Sequence, residues 1–271
     1  MILDDFSHRN SINKSCIVCS TGRSGSNLLC KTLAETNILG YAREYFHEDT
    51  LEKYIDGNHN SELYDYITQV YEQGTSPNHC FNVKLHWHQY RALIKLSRKV
   101  FDDLQGKTDF EVLGSLFPNP YYIYIRRSDV LRQAISTVIA YQSGVWIATG
   151  DKQLRDLQAS DLRFQPVKIY RYKVALEKHN AAWRKAFARH NQTFYELIYE
   201  ELIESFPEKM AEIFSFLDAD PPDSLVMPTK KLANETNEQW HRYYSAIPEI
   251  LIQILAEKRT KLREALEQFG N

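Results

Sequence analysis

The chain has 271 residues, enough to bury a large core without a disulfide framework or a structural metal. Hydrophobic residues at 43% and charged residues at 25% are ordinary globular usage, which excludes long disorder. Lys plus Arg number 33 against 35 Asp plus Glu, a formal charge of -2, so a nucleic-acid coat or polybasic membrane binder is excluded and any anionic ligand must be met by local charge.

The opening residues, from Met1 to Asn10, carry neither a basic stretch nor an apolar run, so no secretory signal is expected. No apolar stretch approaches the roughly 18 residues of a membrane span. Cys16 and Cys19 have C-x-x-C spacing, but they flank Ile17 and Val18 in an apolar run. No second Cys/His pair matches them, so buried thiols are expected rather than a metal site. The chain reads as cytoplasmic.

Residues 15–20 form a continuous apolar run typical of a strand buried on both faces. The loop Thr21-Gly22-Arg23-Ser24-Gly25-Ser26-Asn27 follows, and then Leu28, Leu29, Thr32, Leu33 and Thr36 recur at helical spacing. Further strands are expected at 80–85, at 121–125 after the breaker Pro118-Asn119-Pro120, and at 193–198. Helices are expected at about 50–72, 88–104, 128–142 and 168–188, with another running to about 217. Residues 248–269 read as a charged amphipathic terminal helix, suited either to packing on the core or to pairing two chains in a homodimer. Strands alternating with helices favour one α/β domain over residues 1–271, with a parallel sheet and helical insertions.

A glycine loop entering a helix aims backbone N–H groups and the helix dipole at an oxyanion. Arg23 adds a full charge, and Ser24, Ser26 and Asn27 add side-chain donors. The chemistry suits a phosphate or sulfate. No Lys-Ser/Thr pair ends the loop, so it is not the motif of P-loop NTPases.

The segment 21–29, followed by Gly40-Tyr41-Ala42-Arg43-Glu44-Tyr45-Phe46, closely resembles the bacterial trehalose 2-sulfotransferase-type family. The resemblance continues at Val83-Lys84-Leu85-His86-Trp87, along 126–136, at Val145-Trp146, at Lys231-Leu232-Ala233-Asn234 and at Glu238-Gln239-Trp240, in the family's order. It implies a P-loop-kinase-like parallel sheet flanked by helices. It also implies transfer of a sulfuryl group from 3′-phosphoadenosine-5′-phosphosulfate (PAPS) to a hydroxyl of a carbohydrate, glycolipid or other small molecule.

By that resemblance Arg23, Ser24, Gly25, Ser26 and Asn27 cradle the donor's phosphosulfate, while Arg127 and Ser136 bind its 3′-phosphate. Lys231 stands in the late loop that closes over the adenosine side. Glu44 is the implied general base, and Arg23 stabilises charge on the leaving phosphate. Lys84, Trp87 and Trp146 are candidates for acceptor contacts, and His47, His86 and His88 are alternative bases. Arg126 alternates with Arg127, so one of the two is expected to face the ligand. Ser128 reads as the N-cap of the following helix.

Sulfate carries less charge than phosphate, so no metal is expected. Asn27 stands where the family commonly has Thr or Ser, and Lys231 where Arg is usual. Residues 47–80 match least and are expected to shape the acceptor site, so trehalose itself is not carried over. Two other classes remain open: a P-loop-like nucleotide kinase, which would need a loop lysine, and a non-catalytic nucleotide or anion binder, which would need no Glu44.

Overall fold

The computed structural model describes residues 11–54, 60–146, 162–222, 225–227 and 235–269. In chain order these form β1 (Lys14–Ser20), α1 (Ser26–Glu35), α2 (Glu48–Leu51), α3 (Asn60–Gly74), β2 (Cys80–His86), α4 (Trp87–Val100), α5 (Asp109–Leu116) and β3 (Pro120–Arg126). There follow α6 (Val130–Ser143), α7 (Pro166–Arg189), β4 (Tyr195–Ile198), α8 (Tyr199–Glu204), α9 (Phe206–Phe216), α10 (Glu235–Ser245) and α11 (Glu249–Phe269).

The four expected strands form one sheet in the order β2-β1-β3-β4, with every pairing parallel. The chain is therefore α/β, as its alternating pattern implied. Because β1 has β2 on one side and β3 on the other, strand order reverses at β1. The carboxyl ends of β1, β2 and β3 flank that reversal, where open α/β sheets collect ligands.

Two compact units divide the chain. The first comprises Met1–Ser128 and Asn180–Pro228, and the second Asp129–His179 and Thr229–Asn271. In the first, the alternation of side chains along each strand sorts the core into two layers. Ile17, Cys19, Phe81, Val83, Leu85, Tyr122 and Tyr124 pack with α3, α4, α5 and the end of α7. Cys16, Val18, Cys80, Ile123 and Ile125 pack with α1, α8 and α9. Both sheet faces are covered, which is why β1 reads as a run rather than an alternation.

Cys16, Cys19, Cys30 and Cys80 are all free and buried. Desolvation pushes the Cys16 and Cys19 thiols well above their ordinary pKa, and those of Cys30 and Cys80 up to about 11.

In the second unit Ala134, Ile135 and Val138 of α6 pack with Ile169 and Leu176 of α7, Trp240 and Tyr244 of α10, and Ile252 and Ala256 of α11. Arg132 pairs with Asp129 and Glu238, and Lys173 with Glu249 at 3.0 Å. The terminal helix thus buries one stripe and leaves Ile250, Leu251, Ile254 and Leu255 exposed. Asp129, not Ser128, caps α6: its side chain accepts from the Arg132 N–H at 2.9 Å. The Ser128 N–H instead donates to Glu200 at 2.9 Å. No described helix is long and apolar enough to cross a membrane.

Candidate active site

The loop leaving β1 enters α1 through Gly25, which sits in the left-handed region at φ 95°. A Cβ there would stand 2.1 Å from Tyr199 Cδ2, so glycine is required by space as well as by backbone. Tyr199, the first residue of α8, lies under the Arg127 guanidinium, 4.3 Å from ring centroid to Cζ. Tyr199 thereby joins the glycine loop to the end of β3.

Ser24 is fully buried and its Oγ has no hydrogen-bond partner among the described residues; the same holds for Arg127 Nε. Orphaned donors of this kind are uncommon in folded proteins, and beside a helix N-terminus they are available to an anionic ligand. Burial, and after it the nearby charge of Arg127, lowers the pKa of Arg23. Two cations at one helix N-terminus, with two unmet donors, make a site shaped for an anion. Arg126 is engaged elsewhere, its Nε donating to Glu196 at 2.6 Å.

A second cluster grows from the parity of β2. Asn82, Lys84 and His86 point to the face that carries α1, and the register pairs Ser20 with His86. The chain after α1 is laid along this strand. Gly40, at φ 71°, brings its Cα against the Asn82 backbone, where a Cβ would meet Asn82 N at 2.6 Å. Asn82 Nδ2 donates to Leu39 O at 2.8 Å, and Lys84 N donates to Arg43 O at 3.1 Å.

Glu44 is thereby held over Lys84. Its Oε1 lies 2.7 Å from Lys84 Nζ and 3.5 Å from His86 Nε2, while Oε2 accepts from Gln89 Nε2 at 2.7 Å. Lys84 also donates to Asn27 Oδ1. Burial alone would raise the pKa of Glu44. Contact with His86 and the charge of Lys84 outweigh it and hold the carboxyl well below the usual range.

Arg23, Ser24, Gly25, Ser26 and Arg127 therefore assemble on one side, and Glu44, Lys84 and His86 on the other, with Asn27 touching both through Lys84. Trp87 packs half-buried against Trp183 and Tyr90, each at 5.1 Å. Ser136, half-buried on α6, and Trp146, exposed and edge-on to Tyr141, belong to the second unit. His47 pairs with Asp49 at 3.4 Å, and His88 lies 5.8 Å from the His86 ring. Lys231 lies outside the described residues. Among those described, no group of three or more His, Cys, Asp or Glu is placed to hold a metal ion.

Tyr199, Ser20 and Gln89 escaped sequence reasoning. Tyr199 does carry a signal, since it directly follows a strand. Gln89 carries another, as the N3 residue of a helix capped by His86, where it accepts from the His86 N–H at 2.9 Å.

A parallel α/β sheet with a cationic glycine loop beside a carboxylate has the groups that a group-transfer enzyme needs. The Stf0 sulphotransferase family model matches residues 15–246, and the chain belongs to that family. It is a sulfotransferase, and the family implies a sulfuryl donor. Trehalose 2-sulfotransferase of Mycolicibacterium smegmatis is 24% identical over 255 residues, covering 84% of this chain and 93% of that protein. Trehalose 2-sulfotransferase of Mycobacterium tuberculosis is 25% identical over 260 residues, covering 86% and 96%. A crystal structure of a Mycobacterium avium sulfotransferase superposes with a TM-score of 0.44 at 12% identity, covering 86% of this chain and 68% of that one. The family assignment rests on the sequence match.

Proposed function

We propose that this chain transfers a sulfuryl group from PAPS to a hydroxyl of a carbohydrate, glycolipid or other small molecule, with Glu44 as general base. The observation that carries the reading is the pair of buried, unpartnered donors, Ser24 Oγ and Arg127 Nε, set around Gly25 next to the Glu44 cluster. Arg23, the Ser24–Asn27 turn and Arg127 would hold the donor's phosphate and sulfate oxygens; Ser136 and Lys231 join them on the family resemblance. Arg23 would offset charge developing on the leaving phosphate, a contribution of a few kcal/mol.

In-line transfer depends chiefly on positioning and charge, and Lys84, linked to both Asn27 and Glu44, would meet the sulfuryl oxygens. Glu44 would take the acceptor's proton, while Trp87 and Trp146 offer apolar faces to a sugar. The two relatives named for a sugar acceptor support that class. Four reduced, buried cysteines support a cytoplasmic setting.

The test is incubation with PAPS and a panel of sugars and glycolipids, reading sulfate ester by mass spectrometry. Calorimetry with adenosine 3′,5′-bisphosphate and with ATP accompanies it. Donor-dependent ester, with ATP bound at least about tenfold more weakly (~1.4 kcal/mol), supports the reading. Equal ATP binding would favour a kinase. Bisphosphate binding without any product would favour a sensor.

A further inference from the structure

We infer that His86 is where the acceptor's proton comes to rest, so that Glu44 and His86 act as one proton-accepting pair backed by Ser20. The inference rests on the proposed role of Glu44. Ser20 Oγ lies 2.9 Å from His86 Nδ1, and His86 Nε2 lies 3.5 Å from Glu44 Oε1, so two side chains stand behind the carboxylate. The ring is buried, with a side chain 10% exposed, whereas Glu44 is 32% exposed and open to a substrate. Ser20 is fixed in turn, because the register sets it opposite His86 and the Trp183 indole donates to its carbonyl at 2.9 Å.

Glu44 by itself is a weak acceptor, since the charge of Lys84 and the amide of Gln89 both favour its ionised form. Imidazole accepts protons near neutral pH, and a neighbouring carboxylate favours the cation that results. As the acceptor oxygen bonds to sulfur and the sulfur–phosphate oxygen bond breaks, the acceptor's proton moves to Glu44 and on to His86 Nε2. In the tautomer this requires, Nδ1–H donates to Ser20 Oγ and Nε2 is open to the proton. An imidazolium–carboxylate pair results, and its proton later leaves to water.

The ring is faced by Ser20 of β1, by Glu44, by Lys84 of β2 through Glu44, and by His88 and Gln89 of α4. Beyond them lies Cys30 of α1, a thiol pushed up to about 11 and thus neutral. His86 acts through Glu44, and its role is positional as well as basic. His86→Gln separates the two, because an amide fills the same place beside Glu44 but takes no proton.

The experiment is the pH dependence of kcat, with the KM for PAPS, in wild type, His86→Gln and Glu44→Gln. We expect His86→Gln to lower kcat at least about tenfold, to leave the donor KM within about twofold, and to abolish the acid limb of the wild-type profile. Wild-type kcat with an unchanged limb in His86→Gln overturns the inference. An inactive Glu44→Gln beside that result leaves the base reading standing, whereas a fully active Glu44→Gln removes the base reading itself. If His86→Gln does not fold, Ser20→Ala serves instead. It takes away the Nδ1 partner and is expected to displace the acid limb, and an unchanged profile in it overturns the inference equally.

Discussion

Lys84 Nζ lies 2.7 Å from Glu44 Oε1 and also reaches Asn27 Oδ1, so one ammonium ties the glycine loop to the carboxylate. Its side chain is 5% exposed, whereas that of Glu44 is 32% exposed. Removing the charge strands a partly buried carboxylate. Lys84→Met is expected to cost about 1–2 kcal/mol, less than a fully buried pair would lose because water reaches Glu44. Urea unfolding of the two proteins checks this, and kcat should fall with it.

The depressed pKa of Glu44 has a consequence for acid stability. A carboxylate whose folded pKa lies below its unfolded value stabilises the fold above the unfolded value, and that contribution fades as pH drops further. Wild type should therefore lose Tm more steeply than Glu44→Gln below about pH 4.3. Parallel Tm curves for the two would show that the Glu44 contacts do not persist in solution.

Glu44→Gln should retain bisphosphate affinity while turnover falls by roughly 10²–10⁴-fold, the scale of general-base catalysis. Calorimetry and steady-state kinetics on one preparation separate the two effects. Full activity in this variant would pass the role of base to another group.

Arg127→Ala should weaken bisphosphate binding by about 10- to 100-fold, as expected for one charge-assisted contact worth roughly 1.5–3 kcal/mol. Arg127→Lys should recover only part of this, since an ammonium does not fork onto a phosphate. Calorimetry with the bisphosphate reads both variants.

Gly25→Ala should be destabilising and unable to bind donor. Its methyl would enter the Tyr199 ring, and the left-handed backbone adds about 1–2 kcal/mol. Gly25→Ala combined with Tyr199→Ala relieves the clash but not the backbone term, so partial recovery of stability in urea is expected, without donor affinity.

The sheet was readable because its signals are local. Strands 14–20, 80–86 and 120–126 are short apolar runs bounded by breakers, and each was anticipated to within a residue or so at either end. The helix at Asp109–Leu116 was missed, although its capping box of Thr108 and Glu111 is explicit. Asp109, whose carboxylate is tied to Tyr90 and Arg98, reads from sequence as an ordinary loop acid. The expected helix over 50–72 overlaps the end of α2, the 3-10 turn Glu52–Tyr54 and most of α3, because apolar spacing does not distinguish a 3-10 turn from an α-helix.

Within the site, the loop 21–27 and Glu44 were visible as motifs. What they touch was not, because contact between Glu44, Lys84 and His86 depends on strand parity and on the path of residues 39–44. Tyr199 was hidden for the same reason: nothing near it in sequence names Gly25 or Arg127 as its neighbours.

The four cysteines give the molecule a built-in reporter. Each thiol is enclosed and held protonated at neutral pH, so the folded chain should be silent to alkylating reagents. Cys16 and Cys19 sit inside β1, the central strand that carries the glycine loop. Their labelling rate therefore times the opening of the sheet itself, and any ligand that settles on that loop should slow the clock without touching a sulfur atom.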